Sequence, residues 1–154
     1  ETLGIDRMVL AAGATLMYPN QNKLIIDAGT CITYDFVNAE NQYLGGAISP
    51  GIKIRYKSLN NYTSKLPLLT LSEDFDIIGN STKSAIHSGV INGVIFEIEG
   101  FISQYSLKNQ DLTIILTGGD AEFLAKRLKS TIFANSNFLL ESLNTLSIYL
   151  NEND

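Results

Sequence analysis

Three short β-prone runs, Lys23 to Asp27, Cys31 to Val37 and Gln42 to Ile48, follow one another with only Ala28-Gly29-Thr30 and Asn38-Ala39-Glu40-Asn41 between them. Links this short suit antiparallel neighbours, whereas a parallel pair needs a crossover of a dozen residues or more. The three runs therefore read as an antiparallel meander, and whatever else the chain forms must pack around it.

Helical patterns occupy both flanks. Apolar and small side chains recur at helical spacing from Asp6 to Met17 and stop before Tyr18-Pro19-Asn20. Pro50-Gly51 breaks the chain, Ile52 to Leu59 resumes as a short helix that fades around Asn60-Asn61, and Pro67 marks an exposed loop. Ser81 is placed to cap a long helix reaching about Leu107, with Ile86, Val90, Val94, Ile98 and Phe101 along one face. Gly89, Gly93 and Gly100 weaken that helix in isolation, so packing must hold it. Its apolar residues run over more turns than one small lobe covers, which predicts an interface with a second copy. Leu112 to Leu116 reads as a buried strand, Ala121 to Lys129 as a helix and Leu139 to Leu150 as a final helix. This order predicts an α/β lobe, a mixed sheet covered by helices.

Charge narrows the functions. A chain of 154 residues fits one compact domain or one lobe of a larger assembly. Its net charge of −5, with no run of Lys or Arg, lacks the footprint that phosphate-backbone binding requires, so nucleic acid is not an expected partner. No apolar stretch reads as approaching the roughly 20 residues of a spanning helix, and Glu1 opens no signal-type segment, so the expectation is a cytoplasmic protein without a membrane partner. The single cysteine, Cys31, excludes an internal disulfide and a cysteine metal cluster, and its apolar strand setting reads as a buried structural thiol. The single histidine, His87, falls on the long helix with no Asp or Glu at a metal spacing and reads as structural or surface.

Two carboxylates in the meander call for a reason, because a buried carboxylate is costly unless paired or hydrogen-bonded. Asp27 and Asp35 flank Gly29-Thr30. In one reading each accepts backbone amides at a strand end. In the other, Gly29 lets the backbone approach a phosphate, Thr30 offers a hydroxyl and Asp27 holds a cation beside it. Asp6 also has two readings, a helix N-cap with Arg7 on the solvent face, or a working carboxylate beside a guanidinium fork.

The segments "LGIDR", "DAGTCITYDFV", "YLGGAISPGIKIRYKSLNNYTSKLP", "GNSTKSAIHSGV" and "LTGGDAEFLAKRL", in that order from Leu3 to Leu128, resemble type III pantothenate kinases. The resemblance implies an actin-like ATPase (ribonuclease H-like) lobe and ATP-dependent phosphorylation of pantothenate to 4'-phosphopantothenate, the first step of coenzyme A synthesis. It implies a substrate pocket lined by Gly4, Ile5, Asp6 and Arg7, with Asp6 accepting the proton of the pantothenate hydroxyl. Asp27 matches the ligand of a monovalent cation, potassium or ammonium, while Thr30 and Gly118-Gly119-Asp120 match ATP contacts, the nucleotide carrying Mg2+. Thr82 matches a substrate contact supplied by the neighbouring subunit of a homodimer with a shared active site. Gly45-Gly46 and Pro50-Gly51 match family glycines near substrate or nucleotide, though a plain hairpin end reads nearly as well. Asp35 has no counterpart and reads as a structural carboxylate.

One departure stands out. The family opens with an N-terminal lobe whose first strand and turn hold the ATP phosphates, and the sequence begins beyond it. Residues 1–20 are therefore expected to be a helix linking from an upstream lobe, residues 21–154 a C-terminal ATPase-like lobe, and the fragment inactive alone. Two other functions remain open, a non-catalytic accessory or regulatory binding protein on the same fold and a kinase for another small alcohol.

Overall fold

The computed structural model describes residues 3–153. Strands Asn22–Ala28 (β1), Cys31–Val37 (β2), Tyr43–Pro50 (β3), Leu112–Thr117 (β4) and Phe133–Ala134 (β5) form one sheet in the order β3-β2-β1-β4-β5. The meander is antiparallel as expected, with Asp27 opposite Thr33, Ile25 opposite Asp35, and Asp35 in turn opposite Gly46 on β3. On the other side β4 runs parallel to β1, placing Thr117 beside Asp27, and β5 continues parallel to β4. The two-residue β5 escapes sequence reading, and Gly45-Gly46 lie inside β3 rather than at a hairpin end.

Strand alternation sends the side chains to two cores. On one face Leu24, Ile26, Ile32, Tyr34, Ile114 and Leu116 pack with helices Ile52–Asn61 (α2), Thr82–Lys108 (α3) and Ala121–Ala125 (α4). On the other, Ile25, Val37 and Ile115 meet Leu10, Ala11 and Ala14 of Ile5–Met17 (α1) and Phe138 of Phe138–Glu152 (α5). Helices α1 and α5 cross where a Cβ on Gly13 would collide with the Ser142 side chain, so their axes approach as closely as a missing side chain allows. The buried Lys23 closes the turn after α1, donating to the Tyr18 carbonyl at 3.2 Å and to Asn41 Oδ1 at 3.0 Å. This mixed sheet with its meander and covering helices is the α/β lobe the sequence predicts.

Four expectations need correction. Helix α3 starts as foreseen, with Ser81 and Ser84 forming a reciprocal capping box, but it runs 27 residues and holds an 18-residue stretch with a mean hydropathy of 1.3. It is thus long and apolar enough, by length and composition, to cross a membrane. Its stripe is instead taken up by the sheet: Val94 and Ile98 are fully buried in the chain's own core, not on an interface, because α3 covers most of that face. Its outward face shows Gly89, Gly100 and Phe96. Helix α4 stops at Ala125 rather than Lys129, since the Glu99 carboxylate captures the amides of Lys129 and Ser130 and draws the chain out of helical register. Cys31 is exposed, not buried; as the first residue of β2, opposite Pro50 at the end of β3, it lies at the open end of the sheet. The expectation for His87 agrees with its setting, 5% exposed with Nδ1 2.8 Å from the Tyr56 hydroxyl.

Candidate active site

Because β1 and β4 are parallel, their carboxyl ends open on the same edge of the sheet, the place where ligands bind in open α/β sheets. Asp27-Ala28-Gly29-Thr30 leaves β1 there, and Thr117-Gly118-Gly119-Asp120 leaves β4. The two turns are tied together. The Asp120 amide donates to the Ala28 carbonyl at 3.0 Å, and the Gly51 amide at the head of α2 donates to the Thr30 carbonyl at 3.0 Å. Gly118 has φ +95, and a Cβ there would collide with Asp27 Oδ1 and stand 2.5 Å from the Ala28 carbonyl oxygen. Only glycine fits between the turns. Thr30 and Gly119 are exposed, and Asp120 is half-buried.

Helix α1 brings the acidic motif to this edge. Gly4 is its N-cap and makes no side-chain cap bond, so the N-cap reading of Asp6 is set aside; Asp6 sits in the first turn, where a carboxylate is favoured by the helix dipole. Ile5 and Asp6 are exposed, whereas Arg7 turns inward. The Arg7 guanidinium donates from Nε to Asp35 Oδ1 at 2.9 Å and Oδ2 at 3.1 Å, and from Nη2 to Oδ1 at 2.6 Å and to the Tyr43 hydroxyl at 3.0 Å. Tyr43 completes the triangle by donating to Asp35 Oδ1 at 2.7 Å. Hydrogen bonding to Asp35 raises the Arg7 pKa further, and burial together with Asp35 pushes Tyr43 up to about 12. Asp35, fully buried, is thus the anchor that fixes where α1 begins.

Asp27 has no such support: among the described residues no donor reaches its carboxylate. Burial, reinforced by the negative charges of Asp6 and Asp35, raises its pKa above the ordinary 3.8. Burial also raises Asp120, opposed by the charge of Lys53 on α2. Asp27 therefore carries a carboxylate that no donor among the described residues reaches, next to the orphaned hydroxyl of Thr33, whose Oγ1 is buried without a hydrogen-bond partner. No group of three or more His, Cys, Asp or Glu suited to a metal occurs among the described residues. One carboxylate with neutral oxygens around it fits a weakly held monovalent cation better than a transition metal.

The edge thus unites Asp6, Arg7, Asp27, Thr30, Gly118, Gly119 and Asp120. Thr82 stands apart: it opens α3, on the opposite layer from α1, beside a groove of about 660 Å³ that Arg55, Leu59 and Leu66 also line. Sequence reasoning passed over Tyr43, Thr33, Thr117 and Glu97. Glu97 on α3 accepts hydrogen bonds from Tyr34, Ser49 and Arg55, pinning α3 and α2 to the meander near the end of β3. The alternation Cys31, Thr33, Asp35 against Ile32, Tyr34, Phe36 is the signal that one face of β2 turns polar toward this edge.

Comparison with known proteins agrees with this geometry. A family model described as type III pantothenate kinase matches residues 1–104. The chain is 65% identical over 154 residues to the type III pantothenate kinase of Flavobacterium johnsoniae, covering 100% of this chain and 63% of that protein. It is 66% identical over 148 residues to that of Flavobacterium psychrophilum, covering 96% and 61%. The chain therefore spans less than two thirds of the length of these curated relatives. Among solved structures, a Campylobacter jejuni protein described as a conserved Baf family transcriptional activator superposes with a TM-score of 0.69 at 26% identity, over 100% of this chain and 67% of that one. The ethanolamine utilization protein EutJ from Carboxydothermus hydrogenoformans shares the fold, with a TM-score of 0.51 at 18% identity over 92% and 53%. The chain belongs to the type III pantothenate kinase family.

Proposed function

We propose that the protein containing this chain transfers the γ-phosphoryl group of ATP to the hydroxyl of pantothenate, the first step of coenzyme A synthesis. The observation that carries the reading is the meeting of Asp6, at the head of α1, with the Asp27 and Gly118 turns at one sheet edge. Phosphoryl transfer asks a protein for alignment and charge compensation more than covalent work. Asp6 is exposed in the first turn of α1 and accepts the proton of the attacking hydroxyl. Gly4, Ile5 and Arg7 line the acceptor side; with Nε and Nη2 engaged by Asp35 and Tyr43, Arg7 chiefly holds this segment in place. Thr30 and Gly118-Gly119-Asp120 receive the nucleotide with its Mg2+, and Asp27 holds potassium or ammonium beside the phosphates, which gives that carboxylate the positive partner it otherwise lacks.

In this reading residues 1–20 join the lobe to an upstream one, and the enzyme works in the cytoplasm as a homodimer. Thr82 supports the shared site: it opens α3 on the layer opposite α1, apart from Asp6 of its own chain, so the partner subunit would supply it.

Incubating the full-length protein with ATP and a panel of small alcohols tests the reading. Pantothenate should be phosphorylated, Asp6→Asn should lower kcat by roughly 10²–10⁴-fold, and the 154-residue chain alone should not turn over. A rise in KM for pantothenate with kcat unchanged would make Asp6 a positioning group instead. A second reading, an accessory factor in transcription, draws on the likeness to the Campylobacter jejuni protein. Failure of every alcohol to accept phosphate would favour it.

A further inference from the structure

Among the described residues two side-chain hydroxyls are buried without a hydrogen-bond partner, Ser142 Oγ and Thr33 Oγ1. Packing accounts for the first, because the crossing against Gly13 admits only a small side chain. No such reason applies to Thr33. It lies mid-strand on β2, where valine would fill the same volume, suit a strand equally well and leave nothing unsatisfied. The hydroxyl is retained at a cost, and its place says what for.

Thr33 is the direct cross-strand partner of Asp27, so both side chains leave the sheet on the same face, with Cβ atoms about 4.5–5.5 Å apart as for any opposed antiparallel pair. Thr117 flanks Asp27 from the other side, in register on β4. A carboxylate that burial presses and no donor reaches is thus set beside the one strand hydroxyl that, among the described residues, is buried without a partner. Were Thr33 merely a donor to Asp27, the two would already be bonded; they are not, and a third party fits between them. That party is positively charged, since it must satisfy a carboxylate that also feels Asp6 and Asp35, and it accepts neutral oxygen as a ligand.

We infer that Thr33 Oγ1 is a second fixed oxygen ligand, beside the Asp27 carboxylate, for a monovalent cation at the carboxyl end of β1. This deepens the function proposed above and rests on its assignment of the cation to Asp27. A hydroxyl next to a carboxylate makes a site of low net charge, which suits potassium better than a divalent ion. Branching at Cβ also limits the hydroxyl to few rotamers, so the ligand is held in position before the ion arrives.

The test follows binding without turnover. Thermal unfolding of the full-length protein is recorded against potassium chloride, with choline chloride holding ionic strength constant, for the parent, Thr33→Val and Thr33→Ser. A ligand at concentration L bound to the folded state stabilises it by RT ln(1 + L/Kd), so fitting the rise in melting temperature against potassium concentration gives Kd. Thr33→Ser should match the parent. Thr33→Val should need about tenfold more potassium or more, the loss expected for one oxygen contact to a charge. Its melting temperature in choline should equal or exceed the parent's, a result that a purely structural role for the hydroxyl would reverse. Thr33→Ala gives the same reading should the valine variant not fold. An unchanged fitted potassium Kd in Thr33→Val overturns the inference, as does a parent that responds to potassium no more than to choline. A potassium response that depends on Thr33 in a protein that phosphorylates no alcohol would leave this inference standing and remove the kinase reading.

Discussion

Arg7 and Asp35, 28 residues apart in sequence, are joined by a forked ion pair whose carboxylate is fully buried, and Tyr43 holds the same oxygen. The pair fastens the head of α1 to the middle of β2, so the position of Asp6 is set by a residue on another element. Removing one partner of such a pair leaves a charge buried and unpaired, which costs more than the pair contributes. Arg7→Met should destabilise the fold by about 3–5 kcal/mol, and the double variant Arg7→Met, Asp35→Asn should recover much of the loss. Denaturant unfolding of the four species measures the coupling; additive losses would show that the pair is not a unit.

Gly118 offers a sharper test of how the two turns are joined. Alanine there meets both a positive φ and the Asp27 carboxylate, so Gly118→Ala should cost roughly 1–3 kcal/mol and displace Asp27. Gly119→Ala, where a Cβ meets nothing, should be nearly silent in the same unfolding experiment.

Glu97 carries a pH signature. Burial alone would raise its pKa, but hydrogen bonds from Arg55, Ser49 and Tyr34 outweigh that and hold it below the ordinary 4.5. The folded chain therefore releases this proton more readily than the unfolded one. Its contribution is complete above pH 4.5 and is lost as pH falls through the lowered value. Glu97→Gln should be less stable than the parent by about 1–3 kcal/mol at neutral pH, with the gap narrowing below pH 4.5. A gap that stays constant across this range would place the effect in packing rather than charge.

At the crossing of α1 and α5, Gly13→Ala should force the helices apart at a cost of about 1–3 kcal/mol. Ser142→Ala, which removes an unsatisfied hydroxyl without adding volume, should be neutral or stabilising by about 1 kcal/mol. A stabilising Gly13→Ala would mean that the crossing has slack.

Local signals in the sequence locate most of the elements. Short links made the meander legible, Ser81 marked the start of α3, and Tyr18-Pro19-Asn20 marked the end of α1. What escaped depends on pairs distant in sequence. The end of α4 is decided by Glu99, about 30 residues upstream, and nothing near Lys129 announces it. The partner of Arg7 could be named only once α1 was known to lie over Asp35. Cys31 looked buried from its neighbours because alternation says which face a residue takes but not how far the covering helix reaches. The apolar stripe of α3 was legible, yet whether a sheet or a second copy covers it depends on how many other helices share that face. Site residues were readable where backbone chemistry demands a residue type, as at Gly118. Thr33 and Glu97 were not, since each looks ordinary until its neighbours are known.

The hydrogen bond from the Asp120 amide to the Ala28 carbonyl has a consequence for timing. It crosses from one turn to the other just beyond the last paired residues of β1 and β4, one residue out of their register, so both turns are tied to the end of the sheet. Loosening either one means fraying two strands together, and the Asp120 amide should accordingly exchange with deuterium at a rate close to that of the strand amides, far more slowly than a surface turn. Entry and exit of a ligand would then be governed by whatever swings against the sheet, while the sheet itself behaves as the fixed jaw of a vice.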